Sequence, residues 1–207
     1  MAVCRMDNSK IFDQKFDESM SQIQEQEIDF SDRADILGGR YKNNSLAFDF
    51  FNRKILVTKY DIKDNGNTEL TFAIKFLLCQ YILLCPETLP EKSSKLVTFR
   101  EFKDSGPLFS RFTSNTNKII ETSFSGDLAK LEKQCLKLDG MIMESASYDL
   151  SMRFKALHRI PIILNFNDRD DLMPATAGFL YHGDAQQYLD LECLSITCTY
   201  LTGQLIN

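Results

Sequence analysis

Three carboxylates stand together where the chain has least room for them. In "RIPIILNFNDRDDLMPATAGFLY", residues 159–181, Asp168, Asp170 and Asp171 separate two apolar, strand-like segments. Such a cluster can ligate a divalent cation, act as an acid and base, or turn the chain. Three like charges cannot be buried without cations, so the plainest expectation is a solvated turn in which Asn167 and the aspartates accept local backbone hydrogen bonds. Arg169 inside the cluster partly offsets its charge. Two histidines, His158 and His182, are the remaining groups suited to proton transfer or metal binding. His182 and Asp184 are two residues apart, so on an extended segment they point the same way, and Asp170 or Asp171 could approach from the preceding loop. A loop role for the histidines is the simpler reading.

Other motifs fail on chemistry. "DIKDNGNTELTF" has Asp61, Asn65 and Gly66 at positions one, five and six of a calcium loop, but Lys63 and Phe72 fall where oxygen ligands are required. Gly38 and Gly39 in "LGGRY" precede a strand, whereas a phosphate cradle leads into a helix N-terminus. The nucleophile-elbow, zincin and P-loop patterns are absent.

The elements that position these groups follow from periodicity. Residues 1–35 are charged and Gln-rich, and read as a loosely packed helical extension, with a single domain over 36–207. "SLAFDFF" and "RKILVTKY" flank Asn52-Arg53 and predict a hairpin. The apolar stretch at 69–84 predicts a buried helix, capped by Asn67 or Thr68 and stopped by Pro86 and Pro90. "KLVTFREF" reads as a strand, 107–122 as a helix, and 128, 131, 135 and 138 as the apolar stripe of an amphipathic helix ended by Asp139-Gly140. Alternation over 148–154 predicts a half-buried strand, "IPIILNF" a central one, and the leucines from 191 to 205 a closing helix. Strands follow strands without regular βαβ alternation, so the expected fold class is α+β with a mostly antiparallel sheet packed with helices.

Bulk properties narrow the function. The chain has 207 residues, with 24 Lys and Arg against 29 Asp and Glu, a net charge of -5. That balance lacks the basic excess needed to neutralise a run of phosphates, so nucleic acid is not an expected partner. The most apolar stretch is shorter than a bilayer span and carries Lys75 and Gln80, so no membrane role is expected. Six cysteines form no C-x-x-C pair, and the N-terminus lacks a signal-peptide pattern. Scattered, reduced, buried thiols in a cytoplasmic protein are expected, with no metal or other cofactor.

"LHRIPIILNF", "DDLMPATAGFLY" and "YLDLE", with the upstream "LVTFREF" and "GPLF", together resemble a bacterial and archaeal family catalogued as domain of unknown function 3786. The resemblance spans about residues 36–207. Arg159, Pro161, Asp170, Asp171, Pro174, Tyr188, Leu189 and Glu192 match its pattern, as do Phe99, Arg100, Glu101 and Phe102. His158 and Met173 stand where the family commonly has proline, and "YHGDA" replaces an "FDxSA" stretch. The family has no assigned activity. Some relatives are joined to a Cys-rich iron–sulfur domain of anaerobic corrinoid and carbon-monoxide metabolism, which implies a redox or corrinoid partner as one role. Only Cys4 lies in the N-terminal region, too few thiolates for such a cluster.

The leading expectation is a domain that binds a small molecule or a partner protein without chemistry of its own. Its candidate ligand-binding residues are Arg100, Glu101, Arg159, Asp170, Asp171, His182, Tyr188 and Glu192. The rival is an enzyme or metal-dependent site built on the acidic loop, which requires Arg100, Arg159 and Asp171 to converge in one pocket.

Overall fold

Residues 8–207 are described in a computed structural model. They divide into two compact units, one of residues 8–49 and 53–89 and the other of residues 50–52 and 90–207. Both sheets are antiparallel and both are packed with helices, so the fold is α+β. The boundary expected between residues 35 and 36 falls inside a helix of the first unit.

In the first unit, α1 (Asn8–Glu25) carries Phe12, Phe16, Met20 and Ile23 at spacings of four, four and three, one stripe of a helix. That stripe is docked, contrary to the loose packing expected of a charged extension. Phe16, Met20 and Ile23 are buried, and α1 lies on α3 (Phe72–Leu83). Phe12 meets Phe76 at a ring separation of 6.1 Å and Phe16 meets Phe72 at 6.2 Å. Lys75 Nζ sits 5.1 Å from the Phe16 ring centre, and Gln80 Nε2 donates to Ser19 Oγ at 3.0 Å. Most charged residues of α1 are exposed, and Lys15 lays its ammonium 5.1 Å from the Phe76 ring centre, so composition alone disguised a packed helix.

α2 (Phe30–Leu37) begins at Asp29, whose carboxylate accepts from Ser31 N–H at 2.8 Å, and ends at Gly38 with φ 69°. Gly38 is therefore a left-handed helix cap. The sheet has the order β1-β2-β3-β4, with β1 (Arg40–Lys42), β2 (Ser45–Phe50), β3 (Arg53–Val57) and β4 (Ile62–Asp64). The expected hairpin is β2–β3, with its turn at Phe51-Asn52, one residue earlier than expected. The helix cap also moves: Thr71 Oγ1 accepts from Ile74 N–H at 3.4 Å, while Asn67, at φ 58°, serves the preceding turn.

The second unit holds a five-stranded sheet of order β5-β9-β8-β7-β6. Its strands are β5 (Leu96–Thr98), β6 (Met141–Ile142), β7 (Leu150–Leu157), β8 (Ile160–Asn167) and β9 (Thr176–His182). β8, the "IPIILNF" segment, is central as expected. α4 (Gly106–Asn115), α5 (Asn117–Phe124), α6 (Leu128–Lys137) and α7 (Leu191–Ile206) complete the unit. The helix expected over 107–122 is broken into α4 and α5 at Thr116, whose hydroxyl donates back to Phe112 O at 2.7 Å. That bond competes with continuation of the helix. β5 is also shorter than expected, because the chain enters a 3-10 turn at Phe99–Glu101. It pairs only with Leu180, Tyr181 and His182 of β9. Beyond it α5 serves the bare edge: Asn117 Nδ2 donates to Ala177 O at 2.9 Å and Glu121 Oε1 accepts from Ala177 N–H at 3.1 Å. Phe112 lies in the core, stacked on Phe99 at 4.2 Å and edge-on to Phe179.

Candidate functional site

The acidic loop joins β8 to β9, and each of its aspartates does a different job. Asp168 fastens the base. Its Oδ1 accepts from Gly126 N–H at 2.6 Å and Arg169 N–H at 2.7 Å, and its own N–H donates to Asp149 Oδ2 at 2.8 Å. Asp149 N–H in turn donates to Asn167 Oδ1 at 3.0 Å. Gly126 has φ 83°, and the Arg169 guanidinium lies where a side chain would sit, with Nη2 2.9 Å from the position of a Cβ.

Asp170 shapes the tip. Its Oδ1 accepts from Leu172 N–H at 2.8 Å and from Met173 N–H at 2.7 Å, and its N–H donates to Met173 O at 3.0 Å. Those two backbone donors hold the carboxyl below its ordinary range. A carboxylate so engaged is a turn former, as expected. The consequence lies at the next residues: Leu172 is 89% exposed and Met173 62% exposed, with exposed Asp171 beside them. Sequence reasoning assigned these two apolar residues to the burial-seeking flank. The signal against that was available, since Leu172 and Met173 sit between Asp171 and Pro174, outside either strand's alternation.

The β6–β7 connection reaches the same end of the sheet. Leu150 opens β7 opposite Phe166, and exposed Tyr148, Asp149 and Glu144 precede it, with exposed Ile142 on β6. Exposed Asp127, which caps α6 by accepting from Lys130 N–H at 3.2 Å, follows Gly126.

The other expected residues are dispersed. Arg159 lies in the β7–β8 turn, at the opposite end of β8 from Asp170 and Asp171, roughly 25 Å away at about 3.3 Å per residue. At that far end burial, with the charges of Arg159 and Lys155, holds the His158 imidazole below its ordinary value. His182 closes β9 there as well, with Nδ1 2.9 Å from Ser93 O. Since a carbonyl only accepts, Nδ1 carries the proton in this pair. Buried Asp184 accepts from Ser93 N–H at 3.4 Å. The grouping of His182 and Asp184 with Asp170 or Asp171 is thus not formed.

Glu101 is engaged locally: its Oε2 accepts from Thr98 N–H at 2.7 Å and Thr98 Oγ1 at 3.1 Å, which keeps its carboxyl below the ordinary range. Arg100 lies over the Phe109 ring at 5.5 Å. Tyr188 is buried in the core, and half-buried Glu192 sits in the first turn of α7, where its charge suits the helix dipole. Arg100, Arg159 and Asp171 therefore do not line one pocket. Among the described residues, no group of three or more His, Cys, Asp or Glu is placed to hold a metal ion.

A cleft of ≈ 560 Å³ in the first unit has no counterpart among the expected residues. It is lined by Glu27, Asp29, Tyr41, Asn43, Thr58 and Tyr60, among others. Tyr60 is 83% exposed, and Tyr41 donates to Asn44 Oδ1 at 3.3 Å. Asn43 and Asn44, with φ 52° and 58°, form the β1–β2 turn. The Asn-Asn pair is a sequence signal for such a turn, although β1 is too short to be read from alternation.

Fold and site together define an α+β protein with two antiparallel sheets and a hydrogen-bonded acidic loop that presents apolar side chains. The family model described as domain of unknown function (DUF3786) matches residues 29–204, and the chain belongs to that family. No curated protein and no solved structure matches the chain. Among the described residues no helix is long and apolar enough to cross a membrane.

Proposed function

We propose that this protein is a cytoplasmic binding domain that engages a partner protein through the acidic-loop end of its five-stranded sheet, without chemistry of its own there. The observation that carries the reading is the pair Leu172 and Met173, exposed at the tip of a loop fixed by Asp168 and Asp170. Exposing two large apolar side chains side by side is unfavourable in water by roughly 1.5–3 kcal/mol each relative to burial. A loop already fixed in shape loses little conformational freedom on binding. Five buried cysteines, at 79, 85, 135, 193 and 198, form no disulfide, which suits a reducing compartment.

The test compares wild type with Leu172→Asp/Met173→Asp as baits in an extract of the native host. A specific protein retained by wild type and lost with the variant, and binding again when both are pure, supports the reading. Reproducible turnover in a broad substrate screen, abolished by replacing Asp170 and Asp171, overturns it.

A second reading rests on the cleft of the first unit, whose volume is that of a small-molecule site and whose walls combine tyrosine rings with amides and hydroxyls. In a thermal-shift screen of small molecules, a stabilising compound whose effect is lost in Tyr60→Ala favours it; equal shifts in the variant sink it.

A further inference from the structure

The charges around Leu172 and Met173 specify the kind of surface that covers them. Exposed Asp127, Glu144, Asp149, Asp170 and Asp171 all belong to the segments at this end of the second unit's sheet. Two cations stand close by, Arg169 against Gly126 and Lys130 with Nζ 5.5 Å from the Phe124 ring, and they offset only part of the charge of those carboxylates. We infer that the occupant of this surface is a basic polypeptide segment, with apolar side chains seated on Leu172 and Met173 and lysines or arginines facing the carboxylate rim. The inference rests on the partner-binding reading and adds the partner's chemistry.

Electrostatics separates this occupant from the others. A second copy would bring the same carboxylates against themselves in a two-fold contact, and the whole chain carries a net charge of -5. Nucleic acids and anionic lipid surfaces are repelled by the same rim. A basic segment gains from the rim in orientation and encounter rate, while burial of the two apolar side chains supplies affinity. The carboxylates also have a shape role: Asp149 and Asp170 are held by backbone donors, so their charge is fixed in position before any partner arrives.

The experiment titrates isotope-labelled full chain, followed by two-dimensional NMR, with three short synthetic peptides. All share one leucine spacing, and their polar positions are lysine, glutamine or glutamate. The lysine peptide is expected to shift resonances of 125–127, 142–149 and 168–174, and to weaken about tenfold from low to physiological ionic strength. Leu172→Ser/Met173→Ser, both changes at exposed positions, is expected to keep the dispersed spectrum and lose the binding. Glu144→Lys/Asp171→Lys should transfer the preference to the glutamate peptide. If the glutamine peptide binds this end as tightly as the lysine peptide, the basic-partner inference is overturned while partner binding stands. If no peptide shifts this end, the partner-binding reading itself fails. A concentration-dependent dimer by analytical ultracentrifugation, abolished in Leu172→Asp/Met173→Asp, overturns the inference in favour of a second copy.

Discussion

At the scale of single residues, the acidic loop shows how a carboxylate can be functional-looking and yet structural. Asp170 spends its charge on two backbone donors two and three residues ahead. The folded carboxyl has a pKa below its ordinary 3.8. Its contribution to the loop is therefore complete above that value and is lost as pH falls through the lower folded value. Measured relative to the intrinsic rate at each pH, amide hydrogen exchange at Leu172 and Met173 should accelerate on acidification through this range. In Asp170→Ala it should already be fast at neutral pH, with the rest of the sheet unchanged. Unchanged protection in the variant would remove Asp170 as the organiser of the tip. That an aspartate here makes a turn was legible from residue type alone, since short carboxylates bond to nearby backbone. Which of the three shapes the tip, and which ties the loop to Gly126, depends on α5–α6 geometry more than forty residues away in the chain.

At the scale of elements, long periodic segments were legible and short or contested ones were not. α6, β8 and α7 appear where their apolar spacing puts them, while β7 starts two residues later than the alternation, at Leu150, and runs on to Leu157. β1 and β6, with three and two residues, carry no period to read. Local bonds also overrule pattern, as at Thr116, where a back-bonded hydroxyl cuts one expected helix into α4 and α5. α1 is the instructive reversal, because its many charges hide the stripe that packs on α3. Replacing buried Phe16 with Ala is expected to destabilise the first unit by about 3 kcal/mol, the range of large-to-small changes at aromatic core positions. Ile11→Ala, at an exposed position of the same helix, should change stability by less than about 0.5 kcal/mol. Urea unfolding measures both, and equal small effects would mean that α1 is not part of the cooperative fold.

At the scale of the whole molecule, the thiols provide a global probe. Burial raises Cys79 and Cys135 to about 12 and Cys198 further still. Unfolded thiols ionise near 9, so the unfolded state loses protons first and stability is predicted to fall as pH rises from about 9 towards 12. At neutral pH these groups impose no pH dependence. Cys4 lies outside the described residues, so the thiol test is made in Cys4→Ser, where a thiol reagent should label the native protein slowly and the unfolded protein fully. Rapid labelling at neutral pH would contradict the burial of the five remaining cysteines.

Local sequence sufficed for the α+β class, for the long strands β7, β8 and β9 and for the turn-forming character of the aspartates, and its motifs carried the family resemblance. Class, strands and turns are written in local periodicity or residue type, and need no knowledge of distant neighbours. The folded chain alone places Arg159 and Asp171 at opposite ends of β8, packs α1 on α3, and turns Leu172 and Met173 to water. Those outcomes depend on strand order and on hydrogen bonds between segments remote in sequence, such as Gly126 to Asp168. An apolar residue's type records its preference for burial, and the surrounding fold decides whether a single chain can satisfy it.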